Sequence, residues 1–69
     1  RSVEVRLKRL TPRQREVCTL VAKGLANKVI AKKLGTTINT IKTHRAEIYR
    51  KLEVRSLLDL VLLMEIVKT

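Results

Sequence analysis

The chain has 69 residues, of which 16 are Lys or Arg and 6 are Asp or Glu, so its formal net charge at pH 7 is +10. An apolar fraction of 45% argues against an intrinsically disordered chain and favours one small domain, which would bury only about 60% of its unfolded surface. The charge favours a polyanionic partner, with nucleic acid first and an anionic membrane surface second.

The single cysteine, Cys18, excludes an internal disulfide, and no Cys/His cluster has the spacing of a zinc site. We expect Cys18 to be a small buried apolar side chain, and we predict neither a metal nor a cofactor. No signal peptide opens the sequence, and its longest apolar-rich run, 57–67, is far shorter than the ~20 residues that span a bilayer. A soluble, cytoplasmic protein is therefore expected.

Residues 1–9 alternate charged residues with Val and Leu and carry no evident capping signal, so we interpret them as a linker or the stub of a longer chain, with the domain over 10–69. The first helical start is "TPRQ", where Thr11 is the N-cap and Gln14 completes a capping box. This first predicted helix runs to about Lys23, and Gly24 is its stop.

The second predicted helix lies in "NKVIAKKLG", with Asn27 as its N-cap and an apolar face formed by Ile30, Ala31 and Leu34. Gly35 and Thr36 end it, and Thr37 can cap the next helix. Two helices joined by a short glycine-containing turn predict a helix-turn-helix, in which the first helix supports and the second reads.

The third predicted helix, 38–52, has two unlike faces when its residues are placed 100° apart. Its apolar face is predicted to contain Ile38, Ile41, Ile48, Tyr49 and Leu52. Its polar face is predicted to contain Asn39, Lys42, Thr43, Ala46 and Arg50. The first face is expected to join the core and the second to contact a partner.

A fourth helix begins at a cap formed by Ser56, with Asp59 three residues later, and is apolar on nearly all sides. We expect its inward side to contain Leu57, Leu60, Val61 and Met64. Leu58, Leu62 and Ile66 then form an outward stripe, which predicts contact with a second copy of the chain. With no strand pattern, the predicted fold is all-α: a compact four-helix bundle that contains a helix-turn-helix.

Four blocks, "LTPRQREV", "NKVIAKKLG", "TIKTHRAEIYRKLEVRS" and "LLDLV", resemble in order and spacing the LuxR-type helix-turn-helix. This is the output domain of NarL/FixJ-like response regulators and of quorum-sensing regulators. The resemblance covers Leu10 to Val61, and it implies DNA binding by the third helix and dimer contacts through the fourth. Thr36 and Ala46 depart from the family pattern, which has a branched aliphatic residue at the first position and in some members a long polar or basic residue at the second.

The major groove of B-DNA admits a helix and displays donors, acceptors and thymine methyl groups. Lys42 can donate to guanine, Thr43 can hydrogen-bond or pack its methyl group, and Ala46 can meet a thymine methyl group. Asn39, one turn earlier, can pair with adenine or contact a phosphate. In domains similar to this one, the positions of Lys42, Thr43 and Ala46 reach base edges.

Phosphate contacts are predicted for the flanks of the third helix and for the start of the second, where helix-terminal amides also favour an anion. The predicted residues are Lys28, Thr40, His44, Arg45, Arg50 and Lys51. Two of them have an alternative structural role: His44 can be a packed, hydrogen-bonded residue, and Arg45 can extend past its apolar neighbours or pair with an acid such as Glu16. Tyr49 is expected in the core.

An enzyme is not predicted, because no nucleophile with a base, no paired carboxylates and no phosphate-binding glycine loop are present. One aromatic residue is too few for an RNA-stacking surface. The alternatives are a small helical adaptor that binds protein and a cationic surface-binding domain. We favour the DNA-binding domain of a bacterial transcriptional regulator, a homodimer on an inverted repeat, with RNA polymerase as a further partner and no membrane or small-molecule ligand.

Overall fold

The computed structural model describes residues 2–68, which form five helices and no strand. The helices are α1 Val3–Lys8, α2 Pro12–Ala22, α3 Asn27–Leu34, α4 Ile38–Leu52 and α5 Leu57–Lys68. The all-α prediction is confirmed, with one helix more than the four expected. The central helix is α4, which packs against α1, α2 and α3, while α5 packs against α1 and α2.

The additional helix, α1, corrects the expectation that residues 1–9 contain no helical start. Ser2 is its N-cap, and the Ser2 hydroxyl accepts a hydrogen bond from the Val5 amide at 3.3 Å. Val3 and Leu7 pack against the core. A helix of 6 residues is short enough that its alternation of charged and apolar residues hides the helical period.

The start of α2 is the capping box predicted from "TPRQ". The Thr11 hydroxyl accepts from the Gln14 amide at 3.1 Å, and the Gln14 side-chain oxygen accepts from the Thr11 amide at 3.0 Å. Because Pro12 has no amide hydrogen, this helix start has three free amides, and two of them are thereby satisfied. Lys23 is the C-cap of the helix, and Gly24 follows in a left-handed conformation with φ 86° that other residues adopt at a cost.

The predicted N-cap of α3 is wrong by one residue. Ala26 is the N-cap and makes no side-chain capping bond, whereas Asn27 is the first helical residue. At the other end Gly35 closes the helix in the left-handed region, with φ 67°. Thr37 caps α4 as predicted, because its hydroxyl accepts from the Thr40 amide at 3.1 Å. Helices α3 and α4 therefore form the expected helix-turn-helix.

The core is a single cluster to which α2, α3, α4 and α5 all contribute. Its largest fully buried side chains are Ile30, Ile41, Ile48, Leu52, Leu60, Val17, Val21 and Cys18. Cys18 is buried as expected, and burial raises the pKa of its thiol. The thiolate is therefore disfavoured, which fits a packing role.

Helix α5 begins at the predicted cap, where the Ser56 hydroxyl accepts from the Asp59 amide at 3.1 Å. The inward side of α5 differs from the prediction at two positions. Leu57 is 41% exposed, and Leu63, with 7%, is buried instead, next to Leu60 in the core. Similarly, Ile38 at the start of α4 is 41% exposed rather than in the core. Each of these exposed residues is the first residue of its helix.

Replacing Thr11 by Ala should lower the free energy of unfolding by about 1 kcal/mol, because the Gln14 amide loses its acceptor. Thr11→Ser retains the hydroxyl and serves as the control, with stability close to wild type. Chemical denaturation followed by circular dichroism measures both. An unchanged midpoint in Thr11→Ala would contradict a stabilising role for this cap.

Candidate nucleic-acid interface

The outward face of α4 presents all four residues that the sequence predicts to read bases. Asn39, Lys42, Thr43 and Ala46 are exposed. The Thr43 hydroxyl donates to the carbonyl oxygen of Asn39 at 3.1 Å, one turn earlier in the helix. This bond uses the hydroxyl hydrogen and leaves the lone pairs of the oxygen and the γ-methyl group available.

The opposite face of α4 fixes the orientation of this surface. Ile41, Ile48 and Leu52 are each at most 1% exposed in the core. Tyr49 is half-buried and packs against the same cluster, as predicted. Rotating α4 about its axis would expose these side chains, so the outward face is held in place by core burial.

Arg45 belongs to α4, and its partly buried side chain reaches α3. Its Nη1 donates to Oδ1 of Asn27 at 2.8 Å, and its Nη2 donates to the Tyr49 hydroxyl at 3.0 Å. The alternative role, pairing with an acid such as Glu16, is not the arrangement described, in which Glu16 lies 3.9 Å from Nη1 of Arg13. Arg45 therefore connects the two helices of the helix-turn-helix.

Arg50 is exposed on the last turn of α4 and forms an ion pair with Glu47, with Nη2 2.7 Å from Oε2. This hydrogen bond and the positive charge of Arg50 lower the pKa of the Glu47 carboxyl. The pair lies at the surface, where water and salt weaken such contacts, and the guanidinium can exchange to another anion at low cost.

Lys51, the next residue, is directed toward the domain. Its Nζ donates to the side-chain oxygen of Gln14 at 2.8 Å and to the carbonyl oxygen of Arg9 at 3.2 Å, both in partly buried positions. These bonds join α4 to the end of α1 and the start of α2. Phosphate contact by Lys51 would require both bonds to break.

The remaining predicted phosphate contacts lie on either side of the reading face. Thr40 and His44 are half-buried on α4, and Lys28 is exposed in the first turn of α3. The Thr40 hydroxyl lies 2.9 Å from that of Thr37. Phosphate contact by each of these residues, and by Arg45, Arg50 and Lys51, stays a prediction.

Within residues 2–68, no group of three or more His, Cys, Asp or Glu side chains is arranged to hold a metal ion. No helix in the same described region is long and apolar enough to cross a membrane.

Comparison with known proteins identifies the domain. Residues 8–64 match the family described as bacterial regulatory proteins, luxR family. The chain belongs to this family. The family resemblance inferred from the sequence is confirmed, and since the family consists of regulators with a helix-turn-helix, so is the expectation that the domain is not an enzyme.

Two curated relatives are response regulators. The tetrathionate response regulatory protein TtrR of Salmonella typhimurium is 40% identical over 52 residues, which cover 75% of this chain and 25% of that protein. The nitrate/nitrite response regulator NarL of Escherichia coli strain K12 is 43% identical over 47 residues, covering 68% of this chain and 22% of that protein. The LuxR-family chain thus spans a quarter or less of these relatives' length.

A solved structure has the same fold. The response regulator StyR superposes with a TM-score of 0.89 and 46% sequence identity, over 91% of this chain and 32% of that one. The helical arrangement described above is therefore that of a response-regulator helix-turn-helix domain.

Two residues that hold α4 were not predicted from the sequence of this LuxR-family domain. Arg6 Nη1 donates to the carbonyl oxygen of Leu52 at 3.0 Å, at the C-terminal end of α4, and Gln14 accepts from Lys51. The capping box identified Gln14 but not this second bond. Arg6 and Leu52 are 46 residues apart, so no local pattern links them.

We predict that Lys51→Met lowers the free energy of unfolding by about 1–3 kcal/mol, because partly buried acceptors on Gln14 and Arg9 lose a charged donor. Arg50→Met is the matched control, since it removes the same charge from the same helical turn. Its expected effect is within about 0.5 kcal/mol, because its ion pair is exposed. Chemical denaturation measures the free energy of unfolding of both variants. An equal decrease in the two would contradict a structural role for Lys51.

Proposed function

We propose that this LuxR-family domain binds double-stranded DNA in a sequence-specific manner, with α4 in the major groove, as part of a bacterial transcriptional regulator. The observation that carries the proposal is the division of α4: its apolar face is committed to the core, and the face with Asn39, Lys42, Thr43 and Ala46 is exposed. As the second helix of a helix-turn-helix, α4 has the position of a recognition helix.

The chemistry of this face suits base edges. The ammonium of Lys42 can donate to O6 and N7 of guanine, and the amide of Asn39 can pair with adenine. Thr43 and Ala46 offer small apolar groups that can pack on thymine methyl groups. Direct readout of about one base per side chain follows from these contacts.

The electrostatic contribution comes from residues around this face. From 27 to 52 the chain has seven Lys and Arg residues and one acid, so the positive field is concentrated on the helix-turn-helix. Lys28 and Arg50 are exposed and suited to phosphates, with Thr40 and His44 nearer the core. Lys51 is less suited, because its ammonium already has two partners in the domain.

The rest of the regulator is inferred from the relatives. TtrR and NarL are response regulators several times longer than the matched region. We infer that this domain is the output part of such a protein, controlled by a receiver or ligand-sensing domain, acting in the cytoplasm and contacting RNA polymerase. The signals in the names of TtrR and NarL belong to those proteins.

Replacing Lys42 by Ala should weaken binding to a preferred duplex by about 1–3 kcal/mol and relax the preference at one base position, because a groove donor is lost. Lys28→Ala is the control: it should weaken preferred and random duplexes alike and reduce the salt slope by about one unit. Binding-site selection on both variants tests this. An unaltered preference at every position in Lys42→Ala would sink the reading role.

Dimerisation through α5 is the second part of the proposal. Leu58, Leu62 and Ile66 are 66%, 54% and 61% exposed, and they are spaced four residues apart on one side of the helix. Pairing of this stripe with its own copy across a two-fold axis would cover it. Two recognition helices would then meet half-sites ~10 base pairs apart on an inverted repeat.

Leu62→Glu should leave helical content and the unfolding midpoint close to wild type and abolish cooperative binding to a duplex with two half-sites. Leu60→Glu is the control, since Leu60 is fully buried and a charge there should unfold the domain. Circular dichroism and gel-shift titration measure the two effects. Cooperative binding that survives in Leu62→Glu would place the dimer contact elsewhere.

The same exposed stripe supports the second candidate function, a helical adaptor that binds only protein. A salt titration on duplex DNA separates the candidates: a DNA binder loses affinity with a log-log slope of about −0.9 per phosphate neutralised. A domain with no affinity for duplex DNA at low salt would favour the adaptor.

A further inference from the structure

Among the hydrogen bonds described, one joins a side chain of α3 to a side chain of α4, and its donor is Arg45. Its guanidinium binds the Asn27 side chain on α3 and the Tyr49 hydroxyl on its own helix, and its carbon lies 5.7 Å from the centroid of the Tyr49 ring. Tyr49 itself packs against the core. The guanidinium is therefore held from two directions.

The Asn27 side chain has no capping function that would compete with this contact. Ala26 is the N-cap of α3, without a side-chain capping bond, and Asn27 is the first residue inside the helix. The 2.8 Å bond to Arg45 therefore joins the first turn of α3 to the middle of α4.

An ion pair does not account for this placement: the partners described for Arg45 include no acidic side chain, and its guanidinium lies at cation–π distance over the Tyr49 ring. The start of a helix has a partial positive charge, so a cation beside it is disfavoured unless hydrogen bonds offset the repulsion. Asn27 and Tyr49 are neutral. The contact depends on the planar fork of the guanidinium, which can direct two donors to two acceptors at once, whereas a lysine ammonium on a flexible stem cannot reproduce that geometry.

We propose, on the basis of the DNA-binding function above, that Arg45 is a positioning residue for base readout and acts through Asn27. The first turn of α3 carries Lys28, the predicted phosphate contact, and the middle of α4 carries Lys42, Thr43 and Ala46. By fixing these two segments relative to each other, Arg45 sets the depth and angle at which α4 enters the groove once Lys28 is on its phosphate. This role replaces phosphate contact by Arg45 itself.

The test compares Arg45→Lys, Asn27→Ala and the double variant with the wild-type domain. The probes are a duplex selected from a random library by the wild-type domain and a scrambled duplex of equal length, each titrated over a range of salt. Arg45→Lys keeps the charge and loses the two-pronged geometry. Asn27→Ala removes the acceptor without removing a cap, and Ala is favourable in a helix. Arg55→Lys, at an exposed position outside the helix-turn-helix, controls for the substitution.

Arg45→Lys and Asn27→Ala should each lower affinity for the selected duplex by roughly tenfold, about the loss expected for one hydrogen bond to a charged group. Affinity for the scrambled duplex and the salt slope should stay at wild-type values. The double variant should lose no more than the larger single loss, because both changes remove the same bond. A merely structural role would lower affinity for both duplexes in proportion to the unfolded fraction, which thermal denaturation measures.

Three results would overturn the proposal. If Arg45→Lys keeps full affinity for the selected duplex and Arg45→Ala reduces the salt slope by about one unit, Arg45 is a phosphate contact. If the losses of the two single variants add, Arg45 does not act through Asn27. If library selection with the wild-type domain returns no preferred sequence, the DNA-reading function itself falls, an outcome distinct from the other two.

Discussion

Burial of one face of α4 is the constraint on which the rest of the structure depends. Ile41, Ile48 and Leu52 are enclosed by the core cluster, and α1, α2 and α3 all pack against α4. Removing three such side chains from water stabilises the domain by several kcal/mol, on the order of 1.5–3 kcal/mol for each. Any rotation or shift of α4 would expose part of these side chains and lose part of this stabilisation. The burial therefore determines which residues of the same helix face outward, so that core packing and the proposed readout are two consequences of one orientation.

Part of the positive charge has a structural function. Arg6 donates to the last carbonyl of α4 and Arg13 to the last carbonyl of α3, at 3.0 and 2.9 Å. Both carbonyls lie at helix C-termini, where a hydrogen-bonding partner is missing within the helix and a cation is favoured by the helix dipole. With Lys51 bound to Gln14 and Arg9, basic side chains fasten the ends of both helices of the helix-turn-helix. The net charge alone thus overstates the number of residues suited to contact phosphates.

Most features of the fold that depend on local interactions could be predicted from the sequence, with the starts of α1 and α3 as exceptions, and features that depend on distant interactions could not. The caps at Thr11, Thr37 and Ser56 are hydrogen bonds over three residues, and each was predicted. By contrast, the burial of Leu63 and the exposure of Leu57 were not predicted, because an almost wholly apolar helix has no periodicity that favours one face. The same holds for the candidate site. Exposure of Lys42 follows from helical period, whereas the inward direction of Lys51 depends on a glutamine 37 residues away.

The residues that hold α4 in place are different from the residues proposed to read bases, so the outer surface can change while the packing of the helix is kept. The side chains that fix α4 lie on its buried face and at its ends, while Lys42 and Ala46 are exposed and Thr43 bonds only to the backbone of its own helix in the contacts described above. Substituting these exposed residues removes little buried apolar surface, so its effect on folding should be small. Ala46 and Thr36, the two departures from the LuxR-type pattern noted in the sequence, illustrate the difference. Ala46 lies on the outward face, where a new side chain would alter the proposed contacts with DNA. Thr36 is half-buried in the turn between α3 and α4, where a new side chain must fit the packing of the turn.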